Sequence, residues 1–269
     1  MGISLPLDEI QWLCDRVFER IPQPDPDAAQ VSRAKLIAHR GAWKETGLKE
    51  NTLPAFRECL RAGLAGIEFD IRWTADDVPV VLHDSESSRV FAGSRITIRE
   101  CRFSELRAKL PLIPSLEEIV QEFGKKLHLM IEIKVLDAPE HPAKLLQILS
   151  QLAPGEDYHL ISLSPEILIR LRDFFPASAL MLISLHDAAK RSKEVLHLGL
   201  GALGGHYWLM TAGMRKQLRS KGVRIGSGFP DSLNVLKREV SRNADWIFTN
   251  HPLRMAGWLS GLAAKKLHR

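Results

Sequence analysis

Cysteine is scarce and scattered: Cys14, Cys59 and Cys101 are the three in 269 residues. That spacing fits neither a paired disulfide framework nor a close-set zinc site, and it implies a reducing cytoplasm as the compartment. No apolar run approaches the roughly 20 residues that a membrane span needs. The segment MGISLPLDEIQW has no basic stretch followed by an uninterrupted apolar one, so no cleaved signal peptide is expected. No G-x-G-x-x-G or P-loop sequence follows a strand, which disfavours an open doubly wound sheet. Basic residues nowhere gather into a stripe interleaved with aromatics, and nucleic acid is not expected as a partner.

What remains is an ordinary globular composition, 45% hydrophobic and 26% charged, with 37 basic residues against 32 acidic ones. The resulting charge of +5 mildly favours anionic ligands. Residues 1–34 read as a helical extension, in which Leu7, Ile10, Leu13 and Val17 recur at helical spacing and Pro22, Pro24 and Pro26 end the helix. Its apolar face is expected to cover the bottom of the domain formed by residues 35–269. From Lys35 short apolar runs alternate with helical segments. Thr52 opens one helix that ends near Gly63, and Ser115 with Glu118 forms a capping box closed by Gly124. Counting one hairpin as a single unit gives eight strand-helix repeats. Eight such repeats with right-handed crossovers close into a (β/α)8 TIM barrel, here with a small insertion after the second strand.

That hairpin is GIEFDIRWTADDVPVVLHD, residues 66–84. Strand geometry sends Glu68 and Asp70 to one face. Asp76-Asp77 is a turn-forming pair, and folding about its midpoint sets Asp70 opposite His83. Two like charges in one small volume are costly to bury unless a cation lies between them. Barrel sites sit at the C-terminal ends of the strands. There the sequence supplies His39, Arg40 and Gly41, then Glu50 and Asn51, Glu68 and Asp70, His83, Glu132 and Lys134, Ser162 and Ser164, and finally Thr249 and Asn250. Glu68, Asp70 and Glu132 form a hard-oxygen set suited to one divalent cation, Mg²⁺ or Ca²⁺. His39 and His83 can divide the roles of acid and base. Arg40 offers a fork for two phosphate oxygens and Lys134 a point charge, and Gly41 would let the backbone approach a ligand. Together they suit a phosphoester.

His39-Arg40-Gly41, Glu50-Asn51-Thr52, Glu68-x-Asp70, His83-Asp84 and Glu132-x-Lys134 occur in this order between about Lys35 and Pro252, and the set resembles the glycerophosphodiester phosphodiesterase family. The resemblance implies a phospholipase C-like barrel that hydrolyses glycerophosphodiesters to an alcohol and glycerol 3-phosphate, with a place in lipid and glycerol metabolism. Carried over by position, it makes Glu68, Asp70 and Glu132 the metal ligands, His39 the base and His83 the acid. It also puts Arg40 and Lys134 on the phosphate, with Glu50 orienting Arg40 or the metal's water. Glycerophosphodiesters or lysolipids are the implied small-molecule substrates; the oligomeric state is left open. Two departures stand out. Ile225-Gly226-Ser227-Gly228-Phe229 replaces a tryptophan-bearing segment, so that Phe229 would take over part of the substrate wall. Asn250 stands where the family often has aspartate. The alternatives are a phospholipase D-like transfer on lysophospholipids giving a cyclic phosphate, and a non-catalytic phosphodiester-binding barrel. The insertion, residues 85–114, reads as a cover over the substrate, with Arg89, Arg95, Arg99 and Arg102 as solvated loop charges. His206, Tyr207 and Trp208 either line the alcohol side or cap the barrel mouth.

Overall fold

The computed structural model describes residues 7–267. Its strands are β1 (Leu36–His39), β2 (Gly66–Trp73), β3 (Pro79–Val81), β4 (His128–Ile133), β5 (Tyr158–Ser162), β6 (Leu180–Ser184), β7 (Ala202–His206), β8 (Arg224–Gly228) and β9 (Trp246–Thr249). All but β3 run parallel in sequence order around a closed barrel, sealed by the pairing of β1 with both β2 and β9. Helices connect successive strands. Ser115 and Glu118 make the reciprocal capping box at the start of the helix Leu116–Phe123. Thr52 precedes the helix Leu53–Arg61 but does not cap it, because its hydroxyl donates to the Lys49 carbonyl at 2.7 Å. Among the described residues no helix is long and apolar enough to cross a membrane.

Side-chain alternation divides each strand between two environments. Outward residues such as Ile67, Phe69, Ile71, Leu129 and Ile131 pack beneath the helices. Inward residues form layers along the barrel axis. The middle layer is apolar and includes Ile37, Met130, Ile161, Met181 and Phe248. A Cβ on Gly226 would lie 2.8 Å from the Phe248 ring, so the absent side chain makes room for that aromatic. The bottom layer is polar. Arg224 donates to His159 Nε2 at 2.8 Å, His159 Nδ1–H to His128 Nε2 at 2.7 Å, and His128 Nδ1–H to the Glu156 carbonyl at 2.7 Å. This donor order follows from the partners, since it satisfies each group with both imidazoles neutral.

The N-terminal extension does not cover the bottom. Its helix, Leu7–Phe18, lies on the opposite side, where Tyr207 donates to Asp15 at 2.6 Å and meets Phe18 edge-on. The chain then descends past the helix Leu233–Ser241 through Asn234 to Glu19, Lys237 to Asp25 and Gln30 to Ser241. Leu13 and Val17 are each 52% exposed, so the packing face is set by Asp15 and Phe18 instead. The side chains of Leu7 and Ile10 lie outside the described residues.

The hairpin register also differs by one residue. Ile71 pairs with Val81, and Asp70 therefore faces Leu82 rather than His83. The loop is three residues long, not two: Thr74 N–H donates to the Val78 carbonyl, and Asp77 takes a left-handed φ of 55°. The insertion has its own small core, in which Phe91, Ile98, Leu106, Leu110 and Ile113 pack on Val80 and Leu82.

Burial is the leading cause that lowers His128 to about 4 and His159 to about 2, with the Arg224 charge adding to it. An unfolded imidazole protonates near pH 6.5. The stability from this chain is therefore complete above about pH 6.5 and is lost as the pH falls towards 4 and below. The thermal midpoint is expected to drop across that window, and His159→Gln to flatten the drop. An unchanged slope in the variant would contradict the neutral chain.

Candidate active site

Glu68 and Asp70 are inward residues of β2, and Asp70 sits beside Glu132 in the β2–β4 register. The three carboxylates each offer an oxygen within 4.8 Å of the others. Glu68 and Asp70 are 2% and 0% exposed, so water does little to screen them. Burial, followed by repulsion from Asp70, raises the Glu68 carboxyl well above its usual range and raises Glu132 too. Burial would raise Asp70 as well, but Lys134 and Arg40 outweigh it and hold this carboxyl well below the ordinary range. The Lys134 ammonium lies 2.9 Å from Asp70 Oδ1 and 2.6 Å from Glu132 Oε1. Arg40 Nε forms an ion pair with Asp70 Oδ2 at 3.3 Å, and that oxygen accepts a hydrogen bond from Asn51 Nδ2 at 2.9 Å. An all-oxygen set of buried acids that repel one another fits a hard divalent cation.

Arg40 owes its position to an unusual backbone. Its φ is 57°, in the left-handed region, which costs a non-glycine residue free energy. Its N–H donates to the Glu68 carbonyl at 2.9 Å, and its guanidinium to Glu50 Oε1 at 3.1 Å. Gly41 follows at φ 84°, where a Cβ would lie 2.9 Å from that of Ala55. The close packing on the helix Leu53–Arg61 thus requires glycine here.

The two imidazoles flank the acids. His39 Nδ1–H donates to Asn250 Oδ1 at 2.7 Å, which leaves Nε2 turned inward, 3.7 Å from Glu68 Oε2. Burial above all, with the Arg40 charge next, lowers His39 to about 4, so the ring is neutral at pH 7. His83 is half-buried, and its Nδ1 pairs with Asp84 Oδ1 at 2.7 Å. Burial lowers its pKa as well, opposed by Asp70 and Asp84. β3 ends at Val81, so the slipped register does not carry His83 away: it lines the same cavity as His39.

That cavity measures about 400 Å³ and has two unlike walls. His39, Arg40, Glu68, His83, Glu132 and Lys134 form one; Leu163, Ile183, Leu185, Trp208, Phe229 and Phe248 contribute to the other. The Phe229 ring meets His39 edge-on at 4.9 Å. His206 and Trp208 line the cavity, whereas Tyr207 turns away towards Asp15. Several rim residues take no part. Ser162 donates to the Ile133 carbonyl, Ser164 caps the helix Pro165–Leu171, and Thr249 accepts from the His251 N–H. None of residues 85–114 lines the cavity, so the insertion does not cover it. Arg95 and Arg99 pair on the surface with Glu86 and Asp77, but Arg89 reaches Glu50 and Asp84.

A model described as the glycerophosphoryl diester phosphodiesterase family matches residues 39–254. The chain belongs to that family. It is 25% identical to a glycerophosphodiester phosphodiesterase of Caldanaerobacter subterraneus, over 81% of this chain and 94% of that one. A bovine glycerophosphodiester phosphodiesterase 1 is 33% identical over 46% of this chain. The match spans only about half or less of that mammalian relative and its human counterpart, 42% and 52% respectively. Among solved structures, an Oleispira antarctica phosphodiesterase in complex with the product sn-glycerol-3-phosphate shares the fold, with a TM-score of 0.70 at 21% identity over 84% of this chain and 96% of that one. A Galdieria sulphuraria structure gives 0.72 at 22% identity, covering 84% and 98%.

Lys134 tests the electrostatics of this family member directly. Removing one partner from a buried ion pair costs about 3–5 kcal/mol. Lys134→Met should therefore lower stability by about 3 kcal/mol in urea unfolding at pH 7 with a chelator present. A loss below about 0.5 kcal/mol, the scale of an ordinary surface change, would contradict the pairing.

Proposed function

We propose that this protein hydrolyses glycerophosphodiesters to an alcohol and glycerol 3-phosphate with the help of one divalent cation, Mg²⁺ or Ca²⁺. The observation that carries this reading is the convergence of three acid oxygens within 4.8 Å of one another, two of them from Glu68 and Glu132 on a cavity wall that also carries two imidazoles and two cationic side chains. Glu68, Asp70 and Glu132 would hold the ion, which supplies positive charge against a phosphoryl oxygen. Arg40 and Lys134 bind the remaining phosphoryl oxygens and stabilise the charge that gathers there in the transition state. Glu50 keeps the Arg40 fork aimed, and Phe229 walls the substrate beside His39.

His39 is the base. Its neutral ring presents Nε2 to the cavity, and the amide of Asn250 fixes the tautomer without adding negative charge that would hold a proton there. His83 is the acid, because its Nδ1 rests on a carboxylate, which opposes the lowering by burial and favours the imidazolium more than the amide beside His39 does. His39 takes a proton from the attacking water as the new P–O bond forms; His83 gives one to the departing alcohol oxygen as the old P–O bond breaks. The apolar opposite wall suits the carbon body of a glycerophosphodiester or lysolipid. Three unpaired cysteines support a reducing compartment such as the cytoplasm.

General acid and base groups each contribute about 10²–10⁴-fold. His39→Ala and His83→Ala should each lower kcat by at least about 100-fold with circular dichroism unchanged. A chelator should silence wild-type turnover, and Mg²⁺ or Ca²⁺ should restore it better than softer ions. Full activity in both histidine variants would overturn the assignment, as would phosphorus NMR showing a cyclic diester instead of a free monoester.

A further inference from the structure

We infer that Arg89, in the insertion after β3, is a positioning residue: it holds the Asp84 carboxylate against His83 and so fixes the imidazole that delivers the proton. The inference rests on the proposed role of His83 as acid. Arg89 spends its whole fork on two carboxylates. Nη2 and Nη1 meet Glu50 at 2.6 and 3.2 Å, and Nε pairs with Asp84 Oδ2. Asp84 Oδ1 accepts from His83, while Glu50 Oε1 accepts from Arg40. An unbroken chain, Arg40–Glu50–Arg89–Asp84–His83, thus joins the phosphate-binding guanidinium to the acid on the far side of the site.

Arg89 is the element of this chain that can be removed without exposing a buried charge. Glu50 is 4% exposed but would keep Arg40, and Arg89 itself is 48% exposed. Asp84 has less support. It lies outside any strand or helix, and among the described residues Arg89 is the side chain that engages its second oxygen. Without that contact, the carboxylate next to His83 is free to turn to water, and the imidazole loses the partner that sets its tautomer. The segment carrying Arg89 is itself fixed: Lys49 donates to the Val90 carbonyl at 2.7 Å and sits over the Phe91 ring, which packs in the insertion core. Arg89 does not line the cavity, so it contacts no substrate there and acts through Asp84. A lysine cannot replace it fully, because one ammonium does not reproduce a planar fork across two carboxylates.

The test compares two diesters of glycerol 3-phosphate, one releasing choline and one releasing p-nitrophenol, whose anion leaves without a proton. Arg89→Ala should lower kcat about 10–100-fold on the choline ester, a fraction of what a general acid supplies, and under about 3-fold on the aryl ester. KM should change little on either. His83→Ala, run in parallel, should show the same preference more strongly, and Arg89→Lys should recover part of the loss. Asp84→Asn added to Arg89→Ala should cost less than about 2-fold more, since both act through one carboxylate. Equal losses on the two esters in Arg89→Ala, with His83→Ala still selective, would overturn the positioning role and leave His83 as the acid. No selectivity in His83→Ala would remove the acid assignment and the inference with it. If Arg89→Ala fails to fold by circular dichroism, Arg89→Lys carries the same comparison.

Discussion

Carboxylates buried beside one another repel, and much of the upper barrel is arranged around that repulsion. Glu68, Asp70 and Glu132 sit close enough to share one ion, in a place where water screens them little. Lys134 and Arg40 keep Asp70 charged, and Asn51 gives it a further hydrogen bond. The left-handed backbone at Arg40 and the close packing of Gly41 on Ala55 exist to bring that guanidinium over the acids. Functional sites commonly hold strain of this kind, supported by rigid surroundings.

Those surroundings are the layers below. The apolar middle of the barrel isolates the charged rim from the neutral histidine chain at the bottom, so polar groups at the two ends serve different purposes. The bottom chain satisfies every donor and acceptor with uncharged rings and closes the barrel from within. The rim does the opposite and concentrates unlike charges around a cavity. The N-terminal helix belongs to the rim half: it bonds Tyr207, which lies between His206 at the end of β7 and Trp208, two residues that line the cavity.

Much of this was legible in the sequence because it depends on local periodicity. Alternation places Glu68 with Asp70, and Glu132 with Lys134, whatever their neighbours do; the eight repeats then leave a closed barrel as the natural solution. Legibility ends where one residue of turn geometry or a distant partner decides the outcome. The aspartate pair suggested a two-residue turn, but Thr74 closes a three-residue loop and shifts the register. Apolar spacing in the first helix gave no account of Asp15, whose bond to Tyr207 spans 192 residues and draws the helix to the rim. Asn250 and Arg89 stand out in the sequence, but their contacts with His39 and Asp84 do not, since neither sits in a local pattern that reveals its partner. The bottom histidines come from separate strands, and the parallel pairing of β4 with β5 makes them neighbours.

The central claim is that acids from β2 and β4 hold a single divalent cation between two imidazoles. The most direct measurement is an anomalous difference map from crystals soaked in Mn²⁺. One peak per chain is expected, about 2.0–2.6 Å from oxygens of Glu68, Asp70 and Glu132 together. A peak bound elsewhere, or none at those three carboxylates at saturating Mn²⁺, would contradict it.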